Sequence, residues 1–451
     1  MLQLFKMLRL HGKVKGMLVI APIRVCYLVW PLEIIKWANF NGLTYNIMHG
    51  PNKNLWSNEN ADIHIINPDG LPWLLNELKG TRVKNWPFQM LVSDESTLFK
   101  NAKSGRFKNV KKLIPKMQRR YILTGTPIPN GYLQLFSQMQ VVDQGFSLGN
   151  KIGEYRNNHF QKVGNPEWNQ WELRDGEEEV INRRIAPFVI RLSAEDHLNL
   201  PSLIENKIFV DLPKKVMKKY KELQDNLFLQ MGDKDVYPPT AASVTQKLHQ
   251  IANGNLYEDW DVIEQGKVPP ALKRPYFKFH KEKLHALDEL IAELNGKPLF
   301  VAYWYHHEFQ EIEKHFKTIR VINSKTSIKD ALRIEQEWNS GSIPLLFAQP
   351  ASVAHGLNFQ QAGGDVCWYS LIHDFEIYDQ FIKRLWRQGA TEMVRVHHLI
   401  ARRTVDEAIF SSVKRKQAGQ NDFFGILKRY KNLVDNDFID DISSIWLPGD
   451  K

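Results

Sequence analysis

Cysteine is almost missing from this sequence. Only Cys26 and Cys367 occur among the 451 residues, far apart and without Cys-x-x-Cys spacing, so neither a disulfide framework nor a structural zinc site is expected. Long apolar runs are missing as well. The longest, Met17–Trp30, is interrupted by Pro22 and Arg24 and falls short of the ~20 residues that cross a bilayer, so no membrane partner is expected. There is no short internal repeat and no low-complexity tract. Acidic residues are absent from the start of the chain, where the first is Glu33. The basic, apolar stretch Met1–Lys15 could therefore imitate a targeting peptide, but the strand pattern that follows favours a basic amphipathic helix of a folded domain.

What is present is ordinary for a globular chain: 43% hydrophobic and 24% charged residues, which excludes a disordered or collagenous protein. The net charge of +10 suits a polyanionic partner without naming one. Short apolar runs at Met17–Ala21, Tyr45–His49, Ile63–Ile66, Met90–Val92 and Arg120–Leu123 read as strands. A second series follows at Leu299–Tyr303, Ile319–Ile322, Leu345–Ala348, Asp365–Tyr369 and Val394–Ile400. Helical patterns separate them, at Val25–Phe40 (with Trp30 and Trp37 on one side), Asp69–Leu78, Lys214–Ala252, Lys283–Leu294, Ile328–Asn339 and Tyr378–Arg387. The stretch Phe146–Gly176 reads as an insertion or surface loop, Tyr257–Arg274 as a connector, and Pro201 and Pro213 as brackets of a hinge. The fold class expected is α/β, with two parallel-sheet domains over 1–204 and 205–451, a helical insertion at about 214–275 in the second, and ligands in a cleft at the carboxyl ends of the strands.

Two constellations could carry chemistry. Asp94-Glu95 stands at a strand end, where one carboxylate can hold Mg²⁺ through water and the other can orient an attacking water. The same pair also suits a helix N-cap or a solvated turn. Gln380, Arg384 and Arg387, spaced four and three apart, would project from one helix face and could reach phosphates; a solvated basic face reads the same way.

The order of Val19-Ile20-Ala21-Pro22, Asp94-Glu95-Ser96-Thr97, Leu123-Thr124-Gly125-Thr126-Pro127, Ser352-Val353-Ala354-His355-Gly356-Leu357-Asn358 and Gln380–Gly389 resembles the Swi/Snf-like branch of superfamily II helicases, in particular its compact phage-type members. The resemblance runs from about Met17 to about Lys416. It implies two RecA-like domains, ATP and Mg²⁺ as cofactors, and DNA, engaged as duplex through its backbone, as partner. Carried over residue by residue, it makes Asp94 the organiser of Mg²⁺ and Glu95 the residue that polarises water. Arg384 and Arg387 become the fingers from the second domain, with Gln380, Gly356 and Asn358 beside the nucleotide. Thr124, Gly125 and Thr126 would couple the nucleotide site to the DNA path, and Pro22, Arg24, Asn67, Ser352 and His355 would contact DNA. A cytoplasmic location, in a bacterium or a phage-infected host, fits this branch.

The departures are specific. Thr97 stands where the branch commonly has a coupling His, Lys383 where Gly is usual, and Ala390 where Gln is usual. A Gly-x-x-x-x-Gly-Lys-Ser/Thr loop occurs nowhere; Gly12-Lys13, Gly266-Lys267 and Gly296-Lys297 have the wrong followers. In this branch that loop lies just upstream of the helix that here starts at Met1. The first domain is therefore expected to be incomplete at its N-terminus, through a late start, a split gene whose second chain supplies the loop, or an inactive remnant. A DNA-dependent ATPase is the leading expectation. A non-hydrolytic DNA-binding subunit is the alternative, and a nuclease is disfavoured because Lys100 lies too far from the carboxylates.

Overall fold

The computed structural model describes residues 1–451 except 52, 54–60, 80–85, 164–169, 192–199, 233–240, 259–274, 318, 355 and 420–451. The chain divides into two compact units, Met1–Leu192 with Lys416–Lys451, and Ser193–Arg415.

In the first unit, strands β1 (Met17–Ile20), β2 (Tyr45–Ile47), β3 (Ile63–Ile66), β4 (Met90–Asp94) and β5 (Arg119–Leu123) form one sheet in the order β2-β3-β1-β4-β5. Every pairing is parallel. Helices cover both faces, so β1 and β3 are buried along their whole length and read as continuous apolar runs. Alternation still decides the faces. Val19 and Val92 pack with Phe5, Cys26, Trp30 and Ile34, whereas Leu18, Ile20 and Leu91 pack with Leu71, Phe107 and Val110.

The expected single helix over Val25–Phe40 is instead two, Ile23–Leu28 and Trp30–Lys36, followed by a 3₁₀ turn at Ala38–Phe40. Pro31 has no N–H to continue the ladder, so the helix is interrupted there. Trp30 is buried, while Trp37 lies in extended backbone with half of its surface exposed, so the two rings do not share a side.

The stretch Phe146–Gly176 forms, in its described residues, regular structure rather than a plain surface loop. It holds the helix Ile152–His159 and an antiparallel hairpin of β6 (Phe160–Val163) and β7 (Gln170–Leu173). Tyr155 and Phe160 are buried with Phe136 and Ile181, and the Tyr155 hydroxyl donates to the Tyr132 carbonyl at 3.0 Å. Its many polar residues hid this small core from periodicity.

The second unit carries a six-stranded sheet of β8 (Leu203–Val210), β11 (Leu299–Ala302), β12 (Arg320–Ile322), β13 (Leu345–Ala348), β14 (Asp365–Trp368) and β15 (Val394–Ala401), ordered β12-β13-β11-β14-β15-β8 and parallel throughout. Strands β9 (Asn255–Tyr257) and β10 (Tyr276–Lys278) make a separate antiparallel pair. The ten strands expected from sequence all form. Between Pro201 and Pro213 lies β8, which pairs with β15 from Leu203 beside Val394 to Val210 beside Ala401. A domain boundary at 204/205 would fall inside this strand. It escaped notice because an edge strand with exposed Glu205, Asn206 and Lys207 lacks the apolar run of a central one. Most of the connector Tyr257–Arg274 lies outside the described residues.

A buried polar knot ties this unit together. The Lys283 ammonium meets Asp406 at 2.6 Å, Asn253 Oδ1 at 2.6 Å and the Tyr369 carbonyl at 3.2 Å, and Asp406 also accepts the Ala401 amide. Among the described residues no helix is long and apolar enough to cross a membrane.

Candidate functional site

In the first unit the carboxyl ends of adjacent strands bring the sequence-selected residues to one edge of the sheet. Asp94 ends β4 opposite Leu123 of β5, so the turn Thr124-Gly125-Thr126 starts beside it. On the other side of β4, β1 leads into Pro22, which caps the helix that holds Arg24. Next comes β3, which leads into Asn67.

Glu95 adopts left-handed backbone, φ 68° and ψ 79°, an uncommon state for a residue with a Cβ. That turn is held in place by side chains. Glu95 Oε1 accepts the Thr97 hydroxyl at 2.9 Å and the Thr124 hydroxyl at 2.8 Å, and Thr124 Oγ1 accepts the Thr126 amide at 3.1 Å. Behind them the Ser96 hydroxyl donates to Gln138 Oε1 at 2.5 Å, and the Gln138 amide donates to the Pro127 carbonyl at 2.7 Å. Two neighbouring turns are thus stitched twice. The position of Thr97, where the branch usually has His, is filled by a hydroxyl that reaches the carboxylate itself.

Asp94 takes one hydrogen bond from outside the turn, the Trp30 indole N–H to Oδ2 at 2.9 Å. Burial raises its pKa above the ordinary value, and the Trp30 and Glu95 N–H groups offset this only in part. A half-sheltered carboxylate whose charge is penalised by burial is a fitting neighbour for a hydrated cation. Among the described residues no group of three His, Cys, Asp or Glu side chains could hold a metal by itself.

In the second unit the expected helix Tyr378–Arg387 is Phe375–Ile382. Gln380 lies on it, but Arg384 and Arg387 lie in the turns beyond, so the three do not share a helix face. Tight turns take over beyond Ile382, where Leu385 is fully buried with its amide on the Ile382 carbonyl. Arg384 nevertheless stays beside Gln380: its Nε donates to the Gln380 carbonyl at 3.3 Å and its Nη1 to the Leu357 carbonyl at 3.1 Å. Arg387 Nη1 donates to Asn358 Oδ1. Gly356, Asn358, Gln380 and both arginines are thus gathered in one place.

The loop that carries Gly356 and Asn358 is braced from below. Gly356 has φ +82°, the region that glycine enters without strain. Glu335 Oε1 accepts the Asn358 amide at 2.6 Å, and Asn339 Nδ2 donates to the Asn358 carbonyl at 2.8 Å. Burial raises the pKa of Glu335, against the pull of the Asn358 amide, Arg387 and Arg384; burial lowers that of Arg387, against Glu335. Sequence reasoning missed Glu335, one of several charged residues on the amphipathic helix Ile328–Asn339, and it missed the bond from Trp30 to Asp94.

Of the DNA-contact candidates, Pro22, Arg24 and Asn67 share the first sheet's edge with Asp94. Ser352 lies in the second unit, in the short helix Pro350–Val353 after β13. His355 lies outside the described residues.

Comparison with known proteins gives the family. Residues 1–257 match the SNF2-related domain. The protein p41 of Acyrthosiphon pisum secondary endosymbiont phage 1 is 32% identical over 433 residues, covering 93% of this chain and 89% of p41. MG018 of Mycoplasma genitalium, named as an ATP-dependent helicase, is 26% identical over 345 residues, covering 73% of this chain and 30% of MG018. YwqA of Bacillus subtilis, named as an ATP-dependent helicase/translocase, is 24% identical over 433 residues, covering 90% of this chain and 44% of YwqA. The chain thus spans less than half the length of the latter two. With its motifs in order on two α/β units of the RecA-like class, it belongs to the SNF2-related, Swi/Snf-like family of superfamily II.

Proposed function

We propose that this chain is a DNA-dependent ATPase that translocates on duplex DNA and remodels DNA or bound protein, in the cytoplasm of a bacterial or phage-infected cell. The observation that carries the reading is the grip on Glu95: two hydroxyls, from Thr97 and Thr124, hold one carboxylate oxygen just past the end of β4 and so fix how this side chain is presented to a water. Mg²⁺, when bound with ATP, neutralises developing phosphate charge. Asp94 orders the waters around that cation, and Thr124–Thr126 link Glu95 to the next turn. Arg384 and Arg387 supply positive charge to the transferring phosphate, with Gln380, Gly356 and Asn358 setting their place; such arginines contribute about 10³-fold or more in rate. Pro22, Arg24, Asn67, Ser352 and His355 take the DNA backbone, so binding falls steeply with salt.

A second reading stands beside this one, because these 451 residues hold no Gly-x-x-x-x-Gly-Lys-Ser/Thr run of their own. The chain would then be a DNA-binding subunit, or one part of a split enzyme in which a separate chain brings the loop. Duplex affinity measured with and without an ATP analogue and Mg²⁺ separates the readings. An ATPase changes its affinity, and Arg387→Ala abolishes the change; a non-hydrolytic binding module shows the same affinity throughout.

A further inference from the structure

Trp30 touches Asp94 without belonging to any element that the sequence reading assigned to the nucleotide. Its indole N–H donates to Asp94 Oδ2 at 2.9 Å, and its ring is almost wholly buried among Val19, Cys26, Ile34 and Val92. A buried ring cannot swing, so it fixes which carboxylate oxygen is occupied. Oδ2 faces the indole, and the Glu95 amide also donates to this carboxylate.

Trp30 is also joined to the segment that starts at Pro22. The Cys26 amide bonds to the Pro22 carbonyl at 3.0 Å, the Val29 amide to the Val25 carbonyl at 3.1 Å, and the Glu33 amide to the Val29 carbonyl at 2.9 Å, so the two short helices are linked through Val29. Cys26 Sγ reaches back to the Ala21 carbonyl at 3.3 Å. Pro22 and Arg24 thus stand at the start of the first helix and the Asp94 contact at the start of the second, with Val29 joining the two. Packed elements shift as units.

We propose that Trp30 is a positioning residue that carries DNA contact at Pro22 and Arg24 to Asp94. This rests on the DNA-dependent ATPase reading. Duplex held at the start of the first helix sets the indole, at the start of the second, against Oδ2, and the orientation of the carboxylate towards a hydrated cation follows. By thermodynamic linkage the effect is mutual: Mg²⁺-nucleotide at Asp94 tightens the hold on duplex.

The test uses the indole N–H itself. The chain has 13 tryptophans, and the ¹⁵N–¹H indole signal of Trp30 is identified by its loss in Trp30→Phe, which keeps the ring and removes the donor. The signal should move on Asp94→Asn, move again when a short duplex is added to the parent, and broaden with Mn²⁺ and an ATP analogue. In Trp30→Phe the Mn²⁺ concentration for half-saturation should rise about tenfold, with duplex affinity in the absence of nucleotide unchanged. Trp37→Phe, which removes an indole N–H that donates to Glu33, should leave both unchanged. If the Trp30 signal ignores both Asp94→Asn and duplex while other signals report bound duplex, the inference is wrong and the ATPase reading stands. If no signal responds to duplex and none broadens with Mn²⁺ and the analogue, the ATPase reading itself fails.

Discussion

Thr124 donates its hydroxyl to Oε1 of Glu95 across the seam between two neighbouring strand ends, at 2.8 Å. The bond supports a left-handed residue that would otherwise relax. Thr124→Val keeps the shape and removes the donor. We expect duplex-stimulated kcat to fall about tenfold or more with KM for ATP little changed, because the lost interaction orients water rather than nucleotide. Thr97 donates to the same oxygen, so Thr97→Val and Thr124→Val should combine non-additively in a double-mutant cycle on kcat.

Glu335 holds the Asn358 amide in place beside Arg387. Glu335→Ala removes this acceptor and the charge that opposes two arginines. We expect a loss of about 1–3 kcal/mol in chemical denaturation, and a rise in KM for ATP as the Gly356–Asn358 loop loosens, measured by steady-state kinetics.

Lys283 and Asp406 form a fully buried ion pair. Lys283→Met should strand the Asp406 charge and cost about 3–5 kcal/mol, whereas converting both partners to apolar residues should recover much of that. Urea melts of the two variants check the order.

The second unit should be acid-sensitive. Burial lowers the pKa of His249 from 6.5 to about 4, and those of His307 and His398 to about 3. Each is neutral when folded and gains a proton on unfolding, so its contribution is complete above pH 6.5 and drains away as pH falls towards 4 and 3. Glu308 acts in the opposite sense. Burial raises it from 4.5 to about 7, so its contribution is complete below pH 4.5 and is lost as pH rises through 7. Three histidines outweigh one glutamate below pH 6.5. Both ring nitrogens of His307 lack a hydrogen-bond partner among the described residues. His307→Phe should therefore raise the thermal midpoint at pH 5 relative to the parent more than at pH 8.

Much of this architecture was legible in the sequence because parallel strands buried on both faces leave short apolar runs, as in Met17–Ile20 and Leu345–Ala348. Motif order exposed Asp94, Glu95 and the arginines. What stayed hidden has common causes. β8 is an edge strand with polar residues, the strand pair Phe160–Val163 with Gln170–Leu173 packs on a core too small to show periodicity, and the helix ahead of Arg384 ends at Ile382. Contacts between remote residues, such as Trp30 with Asp94 and Glu335 with Asn358, leave no local signal at all.

The central claim is tested most directly by ATP hydrolysis with and without duplex DNA, using protein purified from its native source so that any accompanying chain is kept, beside the same preparation bearing Glu95→Gln. The account expects hydrolysis that duplex stimulates and that Glu95→Gln abolishes while duplex binding persists. Hydrolysis undiminished in Glu95→Gln, or none with duplex present, would contradict it.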